Sequence, residues 1–290
     1  MLKKLLNYHE ALADKRLRNI CDRQDCRVFA KVRLSDTLQI DGSGVSKELY
    51  SFALRSHFDF IIASRDAMPL LAVEYDGPLH ADCKQDSRDR LKDQLCDYFS
   101  LPLLRINARY LEAAYGGLDL LTWIIERWFF DRDVSEAQAH GELPEEEYFD
   151  PALVMNIPGY AKRFPLWLSA EPLLKIRAFH ESGRCIGWTP SYIIGVDIAN
   201  NYRALGFLQI DEWSGVVVRT GARSQRMPFL EMDLLHEILP FEILEALQDV
   251  FCSKAEPVAI SEINALAVAF RATYRVLASG GASRQSKVRP

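Results

Sequence analysis

The stretch LLAVEYDGPLH, residues 70–80, constrains the fold more than any other part of the chain. Its first four residues, Leu70–Val73, are all apolar, as in a strand that is covered on both faces. Glu74 and Asp76 follow at i and i+2, which is the spacing of two side chains on one face of a strand. Neighbouring buried carboxylates repel each other and lose hydration unless a cation neutralises them. The stretch therefore predicts a buried strand whose end binds a divalent cation.

A further carboxylate is predicted to come from the preceding strand. Asp59 lies between Phe58 and Phe60 in the apolar segment FDFIIAS, 58–64. This segment is separated from 70–76 by a short polar turn, so the two are expected to pair as a hairpin. Because Mg²⁺ prefers carboxylate and carbonyl oxygens, Asp59 and Glu74 are the expected ligands.

The first 130 residues show the alternation of a compact α/β unit. Helical and strand patterns follow in the order helix, strand, strand, strand, helix, strand, helix. The predicted helices are 5–20, 87–100 and 109–130, and the predicted strands are 26–34, 58–64, 70–76 and 101–108. This order predicts a mixed sheet of about four strands flanked by helices.

The pattern changes after residue 130. Residues 131–150 are acidic and poor in aliphatic side chains, which predicts a linker between a domain at 1–130 and a second at 151–290. The second domain is expected to be a smaller α+β domain of unknown kind. Its predicted strands are 173–179, 204–210 and 215–221, and its predicted helices are 232–251, broken near Pro240, and 259–279.

Composition excludes several classes of protein. The net charge of −5 argues against nucleic-acid binding through the whole surface, although a local basic groove is compatible with it. No apolar run reaches the roughly 18 residues of a membrane span, and charges interrupt the start of the chain. We therefore expect a cytoplasmic protein that does not enter a membrane. Walker, nucleophile-elbow and dinucleotide motifs are also absent from the sequence.

The order of the motifs resembles the PD-(D/E)XK nuclease superfamily, whose fold is restriction-endonuclease-like. The resemblance rests on FDFII, AVEYDGPLH, RDRLKDQL and LPLLRI in this order, with KVRLSDTL upstream, and it covers roughly residues 8–110. The ending E-x-D-G-x-x-H is similar to the branch of very-short-patch-repair-like endonucleases. Each motif is short, so the specificity lies in their order and context.

This resemblance implies a metal site and a reaction. Asp59 and Glu74 correspond to the metal ligands, with the backbone carbonyl of Tyr75 as a third. The implied ion is Mg²⁺, with Mn²⁺ as the alternative, and the implied reaction is hydrolysis of a phosphodiester.

The chain departs from the superfamily at one catalytic position. Asp76 stands where the usual lysine would be, and that lysine orients the attacking water or stabilises charge on the phosphate. His80 and Lys92 are the candidates to replace it, and Asp76 is itself a candidate ligand or base. A simple Asp-Gly turn at 76–77 is the competing interpretation of Asp76.

Contacts to nucleic acid are expected from basic residues in two places. The first is the helix after the metal strand, and the second is the loop RTGARSQR, 219–226; the residues are Arg88, Arg90, Arg219, Arg223 and Arg226. Glu10, on the first helix, is an accessory candidate that would orient a water at the metal, as an acid on that helix does in similar nucleases.

The resulting expectation is a Mg²⁺-dependent endonuclease with DNA as the favoured substrate. By association with the superfamily, bacterial DNA repair, restriction or phage defence is the expected context. Residues 151–290 would supply substrate choice or bind a protein partner. The alternative is a catalytically inactive nuclease fold that binds nucleic acid or a protein partner, because the usual lysine is missing.

Overall fold

A computed structural model describes residues 3–77, 83–144, 167–227 and 231–281. The chain divides into two compact units. The first unit consists of Met1–Leu166 with Gln225–Phe229, and the second unit consists of Trp167–Ser224 with Leu230–Pro290. Each unit contains its own sheet. His80 lies outside the described residues.

The first unit contains a four-stranded mixed sheet. Its elements are α1 (Tyr8–Arg23), β1 (Arg27–Arg33), α2 (Leu34–Thr37), α3 (Lys47–Arg55), β2 (His57–Ala63), β3 (Pro69–Tyr75), α4 (Cys83–Tyr98), β4 (Leu103–Ile106), a 3₁₀ turn (Ala108–Leu111) and α5 (Leu120–Ala139). The strand order is β1-β2-β3-β4; β1, β2 and β3 pair antiparallel, and β4 runs parallel to β3. The expected mixed α/β architecture with about four strands is confirmed.

The core explains why β2 and β3 form the centre of this sheet. Phe58 and Phe60 on β2 are fully buried, as are the three consecutive residues Leu71–Val73 on β3. Aromatic and β-branched side chains, here those of Phe58, Phe60 and Val73, favour a pleated, covered surface. Asp59 alternates with the two phenylalanines and is left on the opposite face of β2, where it is only partly buried.

Two parts of the first unit differ from the sequence-based expectation. The short helices α2 and α3 lie between β1 and β2, and the Ser46 side chain caps α3 by accepting a hydrogen bond from the backbone N–H of Leu49. In addition, α5 begins after its N-cap Asp119 and continues to Ala139. Residues 131–139, predicted as the start of an acidic linker, are therefore helical.

The second unit is a five-stranded antiparallel sheet with helices. Its elements are α6 (Ala170–Glu181), β5 (Ser191–Val196), β6 (Tyr202–Gln209), β7 (Ser214–Ala222), α7 (Glu231–Phe251), β8 (Val258–Ala259), α8 (Ile260–Thr273) and β9 (Arg275–Gly280). The strand order is β8-β7-β6-β5-β9. Leu208 packs in the cluster that contains residues of α7, and Leu205 packs with Phe270 of α8. Since side chains alternate along a strand, α7 and α8 cover opposite faces.

Three predictions for the second unit are wrong. Residues 173–179 lie in α6, where Pro172 and Ile176 are buried four positions apart, a helical spacing that a short apolar run does not reveal. Helix α7 continues through Pro240, because its halves on both sides are buried and this packing outweighs the local cost of proline. The predicted helix 259–279 ends at Thr273, because 275–280 pairs with β5 as β9.

No helix within the described parts of the chain is both long and apolar enough to cross a membrane.

Candidate active site

Asp59 and Glu74 lie side by side on adjacent strands. The antiparallel register pairs Phe60 with Val73, which places residue 59 opposite residue 74. The backbone N–H of Asp59 donates to Glu74 Oε1 at 3.3 Å, and the backbone N–H of Tyr75 donates to Asp59 Oδ2 at 2.8 Å. The Asp59 and Glu74 side chains are only 17% and 14% exposed. The β2–β3 hairpin therefore holds two partly buried carboxylates in direct proximity.

Lys31 is a member of this site that the sequence did not reveal. It lies between Ala30 and Val32, which pair with Phe60 and Phe58, so it faces Asp59 across β1 and β2. Lys31 Nζ lies 2.6 Å from Asp59 Oδ1 and 2.8 Å from Glu10 Oε1. Burial lowers the pKa of Lys31, but the hydrogen bonds to Asp59 and Glu10 outweigh this effect and raise it above its ordinary value. Lys31 is thus an ammonium group held between two carboxylates, whose hydrogen bonds favour its charged form.

Glu10 has a structural role besides its contact with Lys31. Its Oε2 accepts a hydrogen bond from the backbone N–H of Asn7, and the Asn7 side chain accepts one from the backbone N–H of Glu10. This reciprocal pair is a capping box, which satisfies two backbone donors at the start of α1. The accessory candidate Glu10 is therefore fixed at the edge of the site by the helix that carries it.

Lys92 neutralises the second carboxylate. Its Nζ lies 2.7 Å from Glu74 Oε1 and donates to the backbone carbonyl of His57 at 3.0 Å. Burial raises the pKa of Glu74 to about 7; Lys92 opposes this rise and the negative charge of Asp59 adds to it. The charge of Glu74 therefore depends on the positive and negative groups beside it.

Glu10, Asp59, Glu74 and Lys92 line one polar cavity of about 360 Å³. It is lined by Asn7, Glu10, Phe52, Ser56, His57, Asp59, Glu74, Tyr75, Asp76, Gly77, Arg88, Asp89 and Lys92. Five of the lining residues are acidic, and two are Arg or Lys. When Lys31 is added, five acidic side chains face three Lys or Arg side chains. Acidic side chains therefore outnumber basic ones around this cavity.

Of the other predicted site residues, some line the cavity and some do not. Asp76 and Arg88 line the cavity, as does Tyr75, whose ring stacks on His9 with 5.2 Å between centroids. Arg90 donates to Ser87 Oγ and is not among the described lining residues. The roles of Asp76, Tyr75, Arg88 and Arg90 stay predictions, as does that of His80.

The prediction that residues 219–226 form a single basic loop is wrong. Strand β7 extends to Ala222, so Arg219 lies within a strand, and Arg223 follows it in the second unit. Arg226 belongs to the first unit and forms ion pairs with Asp97 at 3.4 Å and Asp93 at 3.8 Å. Contacts from these three arginines to nucleic acid stay predictions.

The carboxylate pair fits a magnesium ion in number and chemistry. Within the described part of the chain, no group of three or more His, Cys, Asp or Glu side chains is arranged to hold a metal. Mg²⁺ usually binds through one or two carboxylates and completes its shell with water and substrate phosphate. Asp59 and Glu74 provide that donor set at the cavity, although a bound cation would have to share them with Lys31 and Lys92.

Comparison with known proteins finds one family. A profile described as "Protein of unknown function (DUF2726)" matches residues 2–114, which include β1 to β4 and every described side chain of the carboxylate cluster. No curated protein and no solved structure matches the chain. The similarity therefore covers the same part of the chain as the candidate site and names no activity.

Proposed function

We propose that the first unit is a Mg²⁺-dependent nuclease that hydrolyses phosphodiester bonds, with DNA as the favoured substrate. The observation that carries this proposal is the direct proximity of Asp59 and Glu74 at the acidic cavity. A restriction-endonuclease-like fold is part of the proposal, and the mixed sheet with its antiparallel β2–β3 pair is compatible with it.

Asp59 and Glu74 would hold the ion, with the backbone carbonyl of Tyr75 as a further oxygen. When bound, Mg²⁺ supplies a nucleophilic water and neutralises charge on the phosphate. Asp76, at the position of the usual lysine, would accept a proton from the water at its carboxylate. Glu10 would orient the water at the outer edge of the site.

Lys92 is one of the two candidates for the missing lysine, beside His80. An ammonium group has three donors, and two of those of Lys92 are directed to Glu74 and to the carbonyl of His57. The third donor is available for a phosphate oxygen in the cavity that Lys92 lines. Arg88 lines the same cavity and would add a second positive charge near the substrate backbone.

A second candidate function is a catalytically inactive module that binds nucleic acid or a protein. The ion pairs favour it, because Lys31 and Lys92 already neutralise both carboxylates. In either case the second unit would provide substrate choice or a protein-binding surface. The context of bacterial repair, restriction or phage defence is carried over from the resemblance alone.

Isosteric variants test the nuclease proposal. We expect the full chain to cleave plasmid or single-stranded DNA in Mg²⁺ or Mn²⁺, and Asp59→Asn and Glu74→Gln each to lose activity by at least ~100-fold. Glu256→Gln, an exposed acid of the second unit, is the matched control and should retain activity.

Two results would reject the enzyme. Cleavage that persists in both variants would show that the carboxylate pair does not carry the reaction. An intact substrate under every condition, with nucleic-acid binding unchanged by the substitutions, would support the inactive module.

A further inference from the structure

The second unit contains a cavity of about 190 Å³ that the proposed nuclease site does not use. It lies between α8 and the strands β6 and β7. Leu205, Leu266 and Phe270 give it an apolar floor, and Tyr274 adds an aromatic wall whose ring centroid lies 4.7 Å from that of Phe270. A cavity of this size is smaller than the roughly 300–1,000 Å³ typical of drug-sized ligands, so it suits one planar aromatic group the size of a nucleobase.

Two arginines line this cavity from the same face of the sheet. The register pairs Leu205 with Arg219 and Arg203 with Gly221, which makes Arg203 and Arg219 diagonal neighbours on the face covered by α8. A Cβ atom at Gly221 would lie only 2.9 Å from Nη1 of Arg203, so this glycine leaves space for the guanidinium. Among the described residues that line the cavity, none is acidic. The cavity therefore combines an apolar floor with a positive rim.

The two arginines differ in how firmly they are held. Arg203 is positioned by an ion pair with Asp197 at 2.9 Å, and Asp197 is itself fixed by the backbone N–H groups of Ala199 and Asn201. The Arg219 side chain is exposed and forms no hydrogen bond or ion pair with any residue that the structure describes, whereas its backbone pairs with that of Leu205. A guanidinium group can donate two parallel N–H hydrogen bonds to phosphate oxygens. Arg219 can therefore bind an anion beside Arg203, whose position is fixed.

We propose that this cavity binds a nucleotide, with its phosphate at Arg203 and Arg219 and its base against Leu205, Leu266 and Phe270. The ligand chemistry is a phosphate monoester joined through a sugar to a planar base. It has two sources, a free nucleoside monophosphate and the 5′-phosphorylated end of a strand. The inference uses only residues of the second unit, so it does not depend on cleavage by the first.

Calorimetric titration of the full chain with deoxyadenosine monophosphate in the presence of EDTA tests the proposal. We expect measurable binding that Arg219→Gln weakens by roughly tenfold or more, since a charge-assisted contact is lost. Arg271→Gln is the matched control, because Arg271 is an exposed arginine of α8 that does not line the cavity, and its affinity should change by less than about twofold. Ala269→Trp, which fills the cavity from α8, should abolish binding without lowering the melting temperature.

Further probes separate the phosphate from the base and identify the source. Inorganic phosphate and deoxyadenosine should each bind more weakly than the nucleotide. A 5′-phosphorylated oligonucleotide that binds, in a manner sensitive to Arg219→Gln, assigns the site to strand ends; exclusion of the oligonucleotide assigns it to free nucleotides. Equal weakening by Arg219→Gln and Arg271→Gln, or no binding at roughly 10 mM nucleotide, would overturn the proposal. Asp59→Asn should leave the nucleotide affinity unchanged, so this result is independent of the nuclease test.

Discussion

Lys31 adopts a backbone conformation that is unusual for its residue type. Its φ of 56° lies in the left-handed region, although it stands in the middle of β1. This region costs a residue with a Cβ atom about 1–2 kcal/mol. Residues in such conformations persist where their surroundings fix them, and they cluster at functional sites. The ion pairs of Lys31 with Asp59 and Glu10 are the contacts that fix it here.

The left-handed conformation of Lys31 predicts that glycine is more stabilising than alanine at this position, which reverses their usual order. Lys31→Gly and Lys31→Ala remove the same ion pairs, but only glycine relieves the left-handed conformation, so Lys31→Gly should have the higher free energy of unfolding by about 1 kcal/mol. Urea unfolding measures the difference. At Lys15, an exposed position within α1, alanine should instead be the more stable by about 1 kcal/mol. The same order at both positions would contradict the argument.

His236 is a second residue whose surroundings alter a measurable property, in this case its pKa. It lies on α7, and its ring meets that of Tyr192 edge to face at 4.6 Å between centroids. Its Nε2 is buried and has no hydrogen-bond partner among the described residues. Burial lowers the pKa of His236 below its ordinary value, and the nearby Asp233 opposes that shift.

The lowered pKa of His236 predicts acid destabilisation of the second unit. The unfolded chain binds a proton at this residue at about pH 6.5, whereas the folded chain binds it only at lower pH. The contribution to stability is therefore complete above about pH 6.5 and is lost as the pH falls through the folded pKa. Urea unfolding of the full chain at pH 7.5, 6.5 and 5.5 should show this decline, and His236→Phe should reduce it. An identical decline in the variant would assign the effect to other groups.

At the scale of elements, β4 and α4 are connected by a buried ion pair. Arg105 Nη1 on β4 lies 2.6 Å from Asp93 Oδ1 on α4, and the Arg105 side chain is only 2% exposed. Arg105 also pairs in register with Glu74 on β3. The helix that carries Lys92 is thus fixed to the strand beside the proposed metal ligand.

Removing the carboxylate of this pair should destabilise the first unit. Asp93→Ala leaves the guanidinium of Arg105 buried without its counter-ion, which typically costs about 3–5 kcal/mol. Asp249→Ala breaks the exposed pair with Lys254, at 3.8 Å, and should cost less than about 1 kcal/mol. Urea unfolding compares the two, and similar losses would show that burial does not control the energy of the Arg105–Asp93 pair.

The elements that could be predicted are those whose pattern and register are local. The alternation of Asp59 with two phenylalanines identified β2, and the short turn between β2 and β3 fixed which residues face each other. The proximity of Asp59 and Glu74 follows from those two facts. For this reason the centre of the first sheet and the carboxylate pair were accessible from the sequence.

The elements that escaped prediction depend on distant parts of the chain. Helices α2 and α3 separate β1 from β2, so no turn fixes the register that brings Lys31 to Asp59. Residues 275–280 continue the apolar pattern of α8, and only pairing with β5 makes them a strand. An apolar pattern reports which side chains are buried but not which strand they pair with.

At the scale of the whole molecule, the strap Gln225–Arg226 joins the first unit from far along the chain. The Gln225 side chain accepts from the backbone N–H of Arg105 at 2.7 Å and donates to its carbonyl at 3.0 Å. The backbones of Arg226 and Leu103 exchange two hydrogen bonds, at 2.8 and 3.0 Å. The strap thus pairs with the edge of β4, although it follows β7 of the second unit in sequence.

Gln225→Ala should weaken the hydrogen bonding between the strap and the edge of β4. The substitution leaves the buried N–H and carbonyl of Arg105 without partners, and each such group costs about 1–3 kcal/mol. Hydrogen exchange measured by mass spectrometry should accelerate in the peptide that contains β4. Gln248→Ala, at an exposed position of α7, should leave that peptide unchanged. Protection of β4 that is equal in both variants would show that the strap is dispensable.

The strap also affects how this protein can evolve. Recombination between genes exchanges contiguous lengths of coding sequence, but the first unit is not contiguous, because Gln225–Phe229 interrupt the second. A descendant that acquired only the codons for residues 1–166 would encode a β4 edge without its pairing segment. Both units are therefore expected to be inherited together, and lineages that carry the amino-terminal half alone should show a compensating change at that edge.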